Sequence, residues 1–142
     1  MGILVCQLFD KDDSQIYNIE CLRRSVFHVD TGDYFERQIC EGKIIVLGCF
    51  LDEQLVGGIY LSSSFDSLFI ESIFVKEVYQ CHSLHIGSFM LRYVLEHKET
   101  FEKLFHTTFS QCRLESRNYD SFYQNLGFYQ ENNIMGTMKR RF

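Results

Sequence analysis

Between Lys43 and Val75 the chain offers three apolar, β-branched runs separated only by short polar turns. Lys43–Leu51 gives way to Asp52-Glu53-Gln54, Leu55–Ser62 to the polar turn Ser63–Ser67, and Leu68–Val75 closes the series. Runs of this length read as strands, and turns this short force consecutive strands to lie antiparallel. The period then changes. Ile86, Met90, Tyr93, Val94 and His97 recur at helical spacing, which predicts a helix from about Ile86 to Lys98 or beyond. Thr107–Leu114 reads as a further strand, and a strand–helix–strand passage of this kind is a crossover connection.

The flanks complete the pattern. Gly2–Phe9 reads as a first strand. Asp12, Asp13 and Ser14 offer an N-cap to a helix marked by Ile16, Ile19, Leu22 and Val26. A short helix over Asp33–Cys40 ends at Gly42. After the Thr107–Leu114 strand come another short helix and a hairpin, Phe128–Glu131 and Ile134–Lys139, turning at Asn132-Asn133. The expected class is α+β (mixed α/β), with a central mixed, mostly antiparallel sheet flanked by helices on both faces. The chain has 142 residues, 46% of them hydrophobic, and no repeat or linker interrupts it, so residues 1–142 read as a single domain.

Charge and targeting signals narrow the partners. A net charge of −5 lacks the basic footprint that nucleic-acid binding needs. Lys139-Arg140-Arg141 reads as a solvated tail. No apolar run approaches the roughly 20 residues of a membrane span. The start, M-G-I-L-V-C-Q-L-F-D, does not look like a signal peptide, and Cys6 stands where a myristoylation signal wants Ser or Thr. The cysteines Cys6, Cys21, Cys40, Cys49, Cys81 and Cys112 are dispersed without a C-x-x-C pair, which suggests reduced thiols and a cytoplasmic location.

The stretch from Asn118 to Phe128, N-Y-D-S-F-Y-Q-N-L-G-F, carries the first chemical signal. It reads as a short helix begun by Asn118 and stopped by Gly127, holding Tyr123 in a fixed place. A fixed tyrosine hydroxyl can donate a proton to a leaving group. Together with the element order, these residues resemble the GNAT superfamily of acetyl-CoA-dependent N-acetyltransferases. Members often end in a helix reading roughly N-x-x-A-x-x-F-Y-x-x-x-G-F. Asn118, Phe122, Tyr123, Gly127 and Phe128 match it, with Ser121 for the small Ala. The resemblance implies that Tyr123 is the general acid for the coenzyme A thiolate and that Asn118 bonds the pantetheine arm. The competing reading of Tyr123 is an ordinary amphipathic helix aromatic.

Leu68–Val75, L-F-I-E-S-I-F-V, resembles the family's central strand. In the family that strand splays from its neighbour at a bulge. The resemblance then assigns the freed backbone of Ile73, Phe74 and Val75 to the pantetheine amides, which add to the sheet edge as a strand would. Glu71 matches a position that in some members is the general base acting through water. A carboxylate in an apolar strand could have the raised pKa that role wants, or it could point to solvent.

The segment Y-Q-C-H-S-L-H-I-G-S-F-M-L occupies the family's pyrophosphate loop, where the pattern is R/Q-x-x-G-x-G/A. Two frames are open. Anchored on Gly87 and the helical period, the motif runs His82-Ser83-Leu84-His85-Ile86-Gly87, with two extra loop residues. Anchored on the distance from Val75, it runs from Gln80 to His85. Periodicity favours the first. The resemblance assigns Gln80, His82, Ser83, Leu84, His85, Ile86, Gly87 and Ser88 to cofactor binding, largely through backbone N–H groups at a helix start. Either frame loses a glycine. Cys81, His82 and His85 are potential metal ligands, but no second cluster in the sequence completes a tetrahedron.

The resemblance implies an acyltransferase that moves an acetyl group from acetyl-CoA directly to a primary amine of a small molecule or peptide. It implies acetyl-CoA as co-substrate, no metal, an amine acceptor as partner, and homodimers as a common family state. The altered loop motivates an alternative, a degenerate domain that binds acyl-CoA or a protein partner without catalysis. Phe27, Tyr34 and Phe35 fall on the family's acceptor side and also suit plain packing.

Overall fold

The computed structural model describes residues 2–28, 32–80, 85–115, 120–131 and 137–142. The chain runs β1 (Leu4–Phe9), α1 (Gln15–Phe27), α2 (Tyr34–Cys40), β2 (Ile45–Leu51), β3 (Gln54–Ser64) and β4 (Ser67–Val75). It continues through a 3₁₀ turn (Glu77–Tyr79), α3 (Ile86–Glu96), α4 (Lys98–Phe105), β5 (Gln111–Glu115), α5 (Asp120–Gln124), β6 (Tyr129–Gln130) and β7 (Thr137–Arg141). The sheet has the order β1-β2-β3-β4-β5-β7-β6. The β4–β5 pair is parallel and the rest are antiparallel, as a meander followed by a crossover requires.

Pleat alternation sends side chains to two faces. One face buries Phe9, Val46, Tyr60 and Phe74 together with Ile19 of α1 and Ile39 of α2. The other buries Leu47, Ile59, Leu61 and Ile70 with Met90, Leu91 and Val94 of α3, Phe101 of α4 and Tyr123 of α5.

Several boundaries differ from the sequence reading, each for a local reason. Ser14 makes no capping bond. Asp13 caps α1 instead, its Oδ1 accepting the Gln15 N–H at 2.8 Å. The single helix expected from Ile86 is two, because the chain breaks at His97 (φ −114). There the Tyr93 carbonyl and His97 Nδ1 lie 2.7 Å apart and the two rings stack at 3.9 Å. His97 therefore ends the apolar stripe. The strand expected over Thr107–Leu114 runs instead over Gln111–Glu115, the chain before it being held to α4 by the Phe109 N–H donating to the Glu102 carboxylate at 2.7 Å. The β2–β3 hairpin turns on Asp52 (φ 49) and Glu53 (φ 71) alone. Both φ values are those of the tight hairpin turn that usually recruits Asn-Gly. The turn of the last hairpin, Asn132-Asn133, lies outside the described residues.

Candidate active site

The β4–β5 pairing runs from Ser67↔Gln111 to Ile70↔Leu114 and stops there, while β4 continues to Val75. At the same point the β3–β4 register slips between Tyr60↔Ser72 and Leu61↔Ile70, which leaves Glu71 as the extra residue of a bulge. Beyond the bulge, β4 stays paired to β3 but loses β5. Backbone direction follows from the alternation of an antiparallel ladder. The Lys76 N–H donates to the Val56 carbonyl at 2.8 Å, and a Cβ on Gly57 would lie 2.9 Å from the Phe74 carbonyl oxygen. Phe74 and Lys76 therefore turn their backbone groups toward β3. The N–H and C=O groups of Ile73 and Val75 face the open edge.

That edge is one wall of a cavity of about 380 Å³. Ile73, Phe74 and Val75 line it from β4, Val26 and Phe27 from the end of α1, and Tyr79 and Gln80 from the 3₁₀ turn. His85, Ile86, Gly87 and Ser88 line it from the head of α3, and Phe122 and Tyr123 from α5. The backbone groups available for strand addition therefore belong to Ile73 and Val75. Gln80 closes one corner, its Nε2 donating to the Val75 carbonyl at 2.8 Å. A carbonyl has two lone pairs, so this bond ties the turn to β4 and leaves acceptor capacity.

Tyr123 is 5% exposed. Its ring packs edge-on against Phe122 at 5.0 Å and Phe128 at 6.0 Å. Its carbonyl accepts N–H groups from Leu126 at 2.9 Å and Phe128 at 3.1 Å, which winds the helix end around it. Gly127 at φ +92 makes that end, as its place in sequence suggests. Arg140 Nε then donates to the Leu126 carbonyl at 2.9 Å, pinning the end to β7. α5 also approaches the head of α3 closely. A Cβ on Gly87 would sit 3.3 Å from Phe122 Cζ, so the glycine permits this packing.

α3 starts at Ile86 with Ile86, Met90, Leu91 and Val94 buried, which is the helical register anchored on Gly87. Gln80 nonetheless lines the cavity, so the cavity combines the helix start of one frame with the glutamine of the other. His85 stands at the N-cap in the left-handed region (φ 52), where a side chain is strained by roughly 1 kcal/mol. His85→Gly should stabilise the fold by about 1 kcal/mol and raise the melting temperature by about 3 °C. Thermal melts of the two chains check this. Cys81, His82, Ser83, Leu84 and Asn118 lie outside the described residues.

Glu71 is half-buried and does not line the cavity. Burial pushes its carboxyl up, a hydrogen bond from Ser62 opposes that, and the Glu115 charge adds to the rise. The folded value is raised, so the stability it contributes is present at acid pH and lost as pH climbs through the folded pKa. Glu71→Gln should therefore melt higher than the parent at pH 7–8. The two should converge below pH 4.5, the carboxyl's ordinary value. Melts across that range decide the point.

One buried constellation escaped the sequence reading. Glu20 and Arg23, each 3% exposed, lie on the buried face of α1. Glu20 accepts from Arg23 Nε at 2.7 Å, Arg23 Nη2 at 3.0 Å, the Tyr60 hydroxyl at 2.7 Å and Arg24 Nε at 3.0 Å. The signal was present in the sequence, since Ile16, Ile19, Glu20, Arg23 and Val26 share one helical stripe. Phe35 belongs to this assembly, its ring under the Arg23 guanidinium at 4.3 Å and against Tyr60 at 5.1 Å. Tyr34 packs on Phe35 at 5.2 Å. Of the three aromatics placed on the acceptor side, only Phe27 reaches the cavity.

No protein-family profile matches the sequence, and a search of curated proteins finds no match. Solved structures do match it. The chain is similar over 99% of its length to all of Escherichia coli ElaA (TM-score 0.71, 20% identity). It is similar over 99% to all of an IAA acetyltransferase from Bacillus cereus (TM-score 0.72, 14% identity). It is also similar over 99% to 99% of the PaiA N-acetyltransferase of Thermoplasma acidophilum, whose crystal structure is a complex with coenzyme A (TM-score 0.65, 20% identity). The fold is that of the GNAT N-acetyltransferases.

Proposed function

We propose that this protein is an acyl-CoA-dependent N-acyltransferase, with acetyl-CoA as donor and a primary amine as acceptor. The observation that carries the reading is the open β4 edge. Ile73 and Val75 present two sets of backbone donors and acceptors to a cavity that Tyr123 also lines. Pantetheine is an extended chain with two amides, and it can add to such an edge as a strand does. The N-terminus of α3, with Gly87 and Ser88, offers N–H groups and a positive dipole end to the pyrophosphate. Gln80 holds the adjoining turn against β4. The fold shared with a coenzyme A complex supports the same reading.

Transfer is direct. The amine nitrogen attacks the thioester carbon, and an edge N–H group stabilises the developing oxyanion. The C–S bond breaks as the Tyr123 hydroxyl gives its proton to the thiolate. The amine's own proton leaves through water, with Glu71 as the terminal base. Burial gives Glu71 a raised pKa suited to that work, and a water relay suits its place outside the cavity lining.

His85 in a left-handed conformation, where the family prefers glycine, supports one competing reading: binding of acyl-CoA or a partner without turnover. Isothermal titration with acetyl-CoA, paired with thiol release over an amine panel, distinguishes the two. Saturable binding with thiol release on at least one amine supports the enzyme. Binding with no release on any amine favours the competitor, and absence of binding sinks both. Among the described residues no helix is long and apolar enough to cross a membrane.

A further inference from the structure

β1 and β2 carry a cysteine each, and the register sets Cys6 directly opposite Cys49. Which kind of cross-strand pair they form can be counted along the ladder. The Asp52 N–H donates to the Ile3 carbonyl at 3.0 Å, so Ile3 and Asp52 are a hydrogen-bonded pair. Antiparallel pairs alternate, which makes Leu4↔Leu51 non-hydrogen-bonded, Val5↔Phe50 hydrogen-bonded and Cys6↔Cys49 non-hydrogen-bonded. Non-hydrogen-bonded pairs have the closer side chains, with Cα atoms about 4.5 Å apart, inside the range a disulfide spans. Register partners share a face, and both cysteines pack among Leu4, Leu8, Leu47 and Leu51.

We propose that Cys6 and Cys49 are a dithiol modification site, closed to a cross-strand disulfide by small disulfide oxidants. The chemistry has a defined order because access is unequal. Cys49 is 0% exposed, whereas Cys6 lies half-buried on the edge strand. The Cys6 thiolate attacks one sulfur of oxidised glutathione, forming a mixed disulfide and releasing one glutathione. The Cys49 thiolate then attacks the Cys6 sulfur, the second glutathione leaves, and the Cys6–Cys49 bond remains. The two protein thiols lose two electrons and two protons, and both appear in the two reduced glutathiones. Cys49 lies at the paired position on the adjoining strand, so the second attack is intramolecular.

The bridge would close a loop containing α1 and α2 and tie the edge strand to its neighbour. The same sheet row continues from Cys49 to Gly57 and on to Val75 at the cavity edge.

The test uses the full chain. Incubation with oxidised glutathione, quenching with iodoacetamide and non-reducing peptide mapping should yield one cross-linked peptide pair joining Cys6 to Cys49. The melting temperature should rise by about 10 °C and fall back with dithiothreitol. Cys6→Ser should melt with the reduced parent and show no rise. Carbamidomethyl label on both Cys6 and Cys49 after oxidation, or glutathione found only on the exposed Cys21 and Cys40, overturns the proposal. The mapping of the parent chain decides the matter even if Cys6→Ser folds poorly.

Discussion

Replacing Tyr123 by Phe should lower turnover by about 10²-fold or more while leaving the acetyl-CoA affinity within a factor of about three. The substitution removes one hydroxyl and keeps the ring, which packs against Phe122 and Phe128 and so holds α5 against the head of α3. Pantetheine contacts on the proposed edge come from Ile73 and Val75, so binding should persist. The lost step is proton delivery to the departing thiolate. That makes a specific rescue available. An acetyl thioester whose thiol is more acidic needs less help to leave, so the parent-to-variant ratio should shrink as the leaving thiol's pKa falls. A variant slowed equally with every thioester has lost packing, and an unimpaired one removes Tyr123 from the mechanism. Steady-state kinetics over a short series of acetyl thioesters, with titration for affinity, measures both.

The sheet and most of its order were legible from patterning alone. The three strands between Ile45 and Val75, the helix start at Ile86 and the Gly127 stop all rest on local signals: period, turn composition, a residue tolerant of positive φ. Misses arose where tertiary contact overrode local preference. The helical stripe from Ile86 continues on paper through His97, but a ring stack on Tyr93 and a carbonyl contact break it there. Asp52 and Glu53 adopt positive φ because the strands on either side leave two residues for the turn. At the site, the resemblance supplied the splayed edge. Only the ladder showed that Ile73 and Val75 face it while Phe74 faces β3. Glu71 at the bulge was singled out in sequence, yet its place outside the cavity lining depends on long-range register. Glu20 and Arg23 are charged residues on the buried stripe of α1, where hydrophobic period alone does not mark them. Their spacing from Ile16 and Ile19 held that information.

Those two residues set the second large effect. Glu20→Ala should destabilise the fold by about 3–5 kcal/mol, against a total of about 5–15 kcal/mol for domains of this kind. The variant leaves a guanidinium that is 3% exposed without its carboxylate, and it strips the Tyr60 hydroxyl of its acceptor. Burial by itself would push the Glu20 carboxyl up, but donors from Arg23, Tyr60 and Arg24 outweigh it and hold the folded pKa below the ordinary 4.5. A depressed folded value means the ionised form is favoured by folding. Its stabilisation is therefore complete above pH 4.5 and disappears as pH falls through the folded pKa. The parent should lose stability over that acid window, and Glu20→Ala should show a shallower loss there from a lower starting point. Replacing the pair together, Glu20→Met with Arg23→Leu, should recover much of the difference, because the buried guanidinium is then removed along with its carboxylate. Denaturant melts from pH 7 to pH 3 on the three chains provide the comparison. A Glu20→Ala chain as stable as the parent at pH 7 would deny the network its structural role. The consequence reaches the cavity, since the same helix carries Val26 and Phe27 into its wall and Arg24 ties that helix to Glu36 of α2 at 2.8 Å.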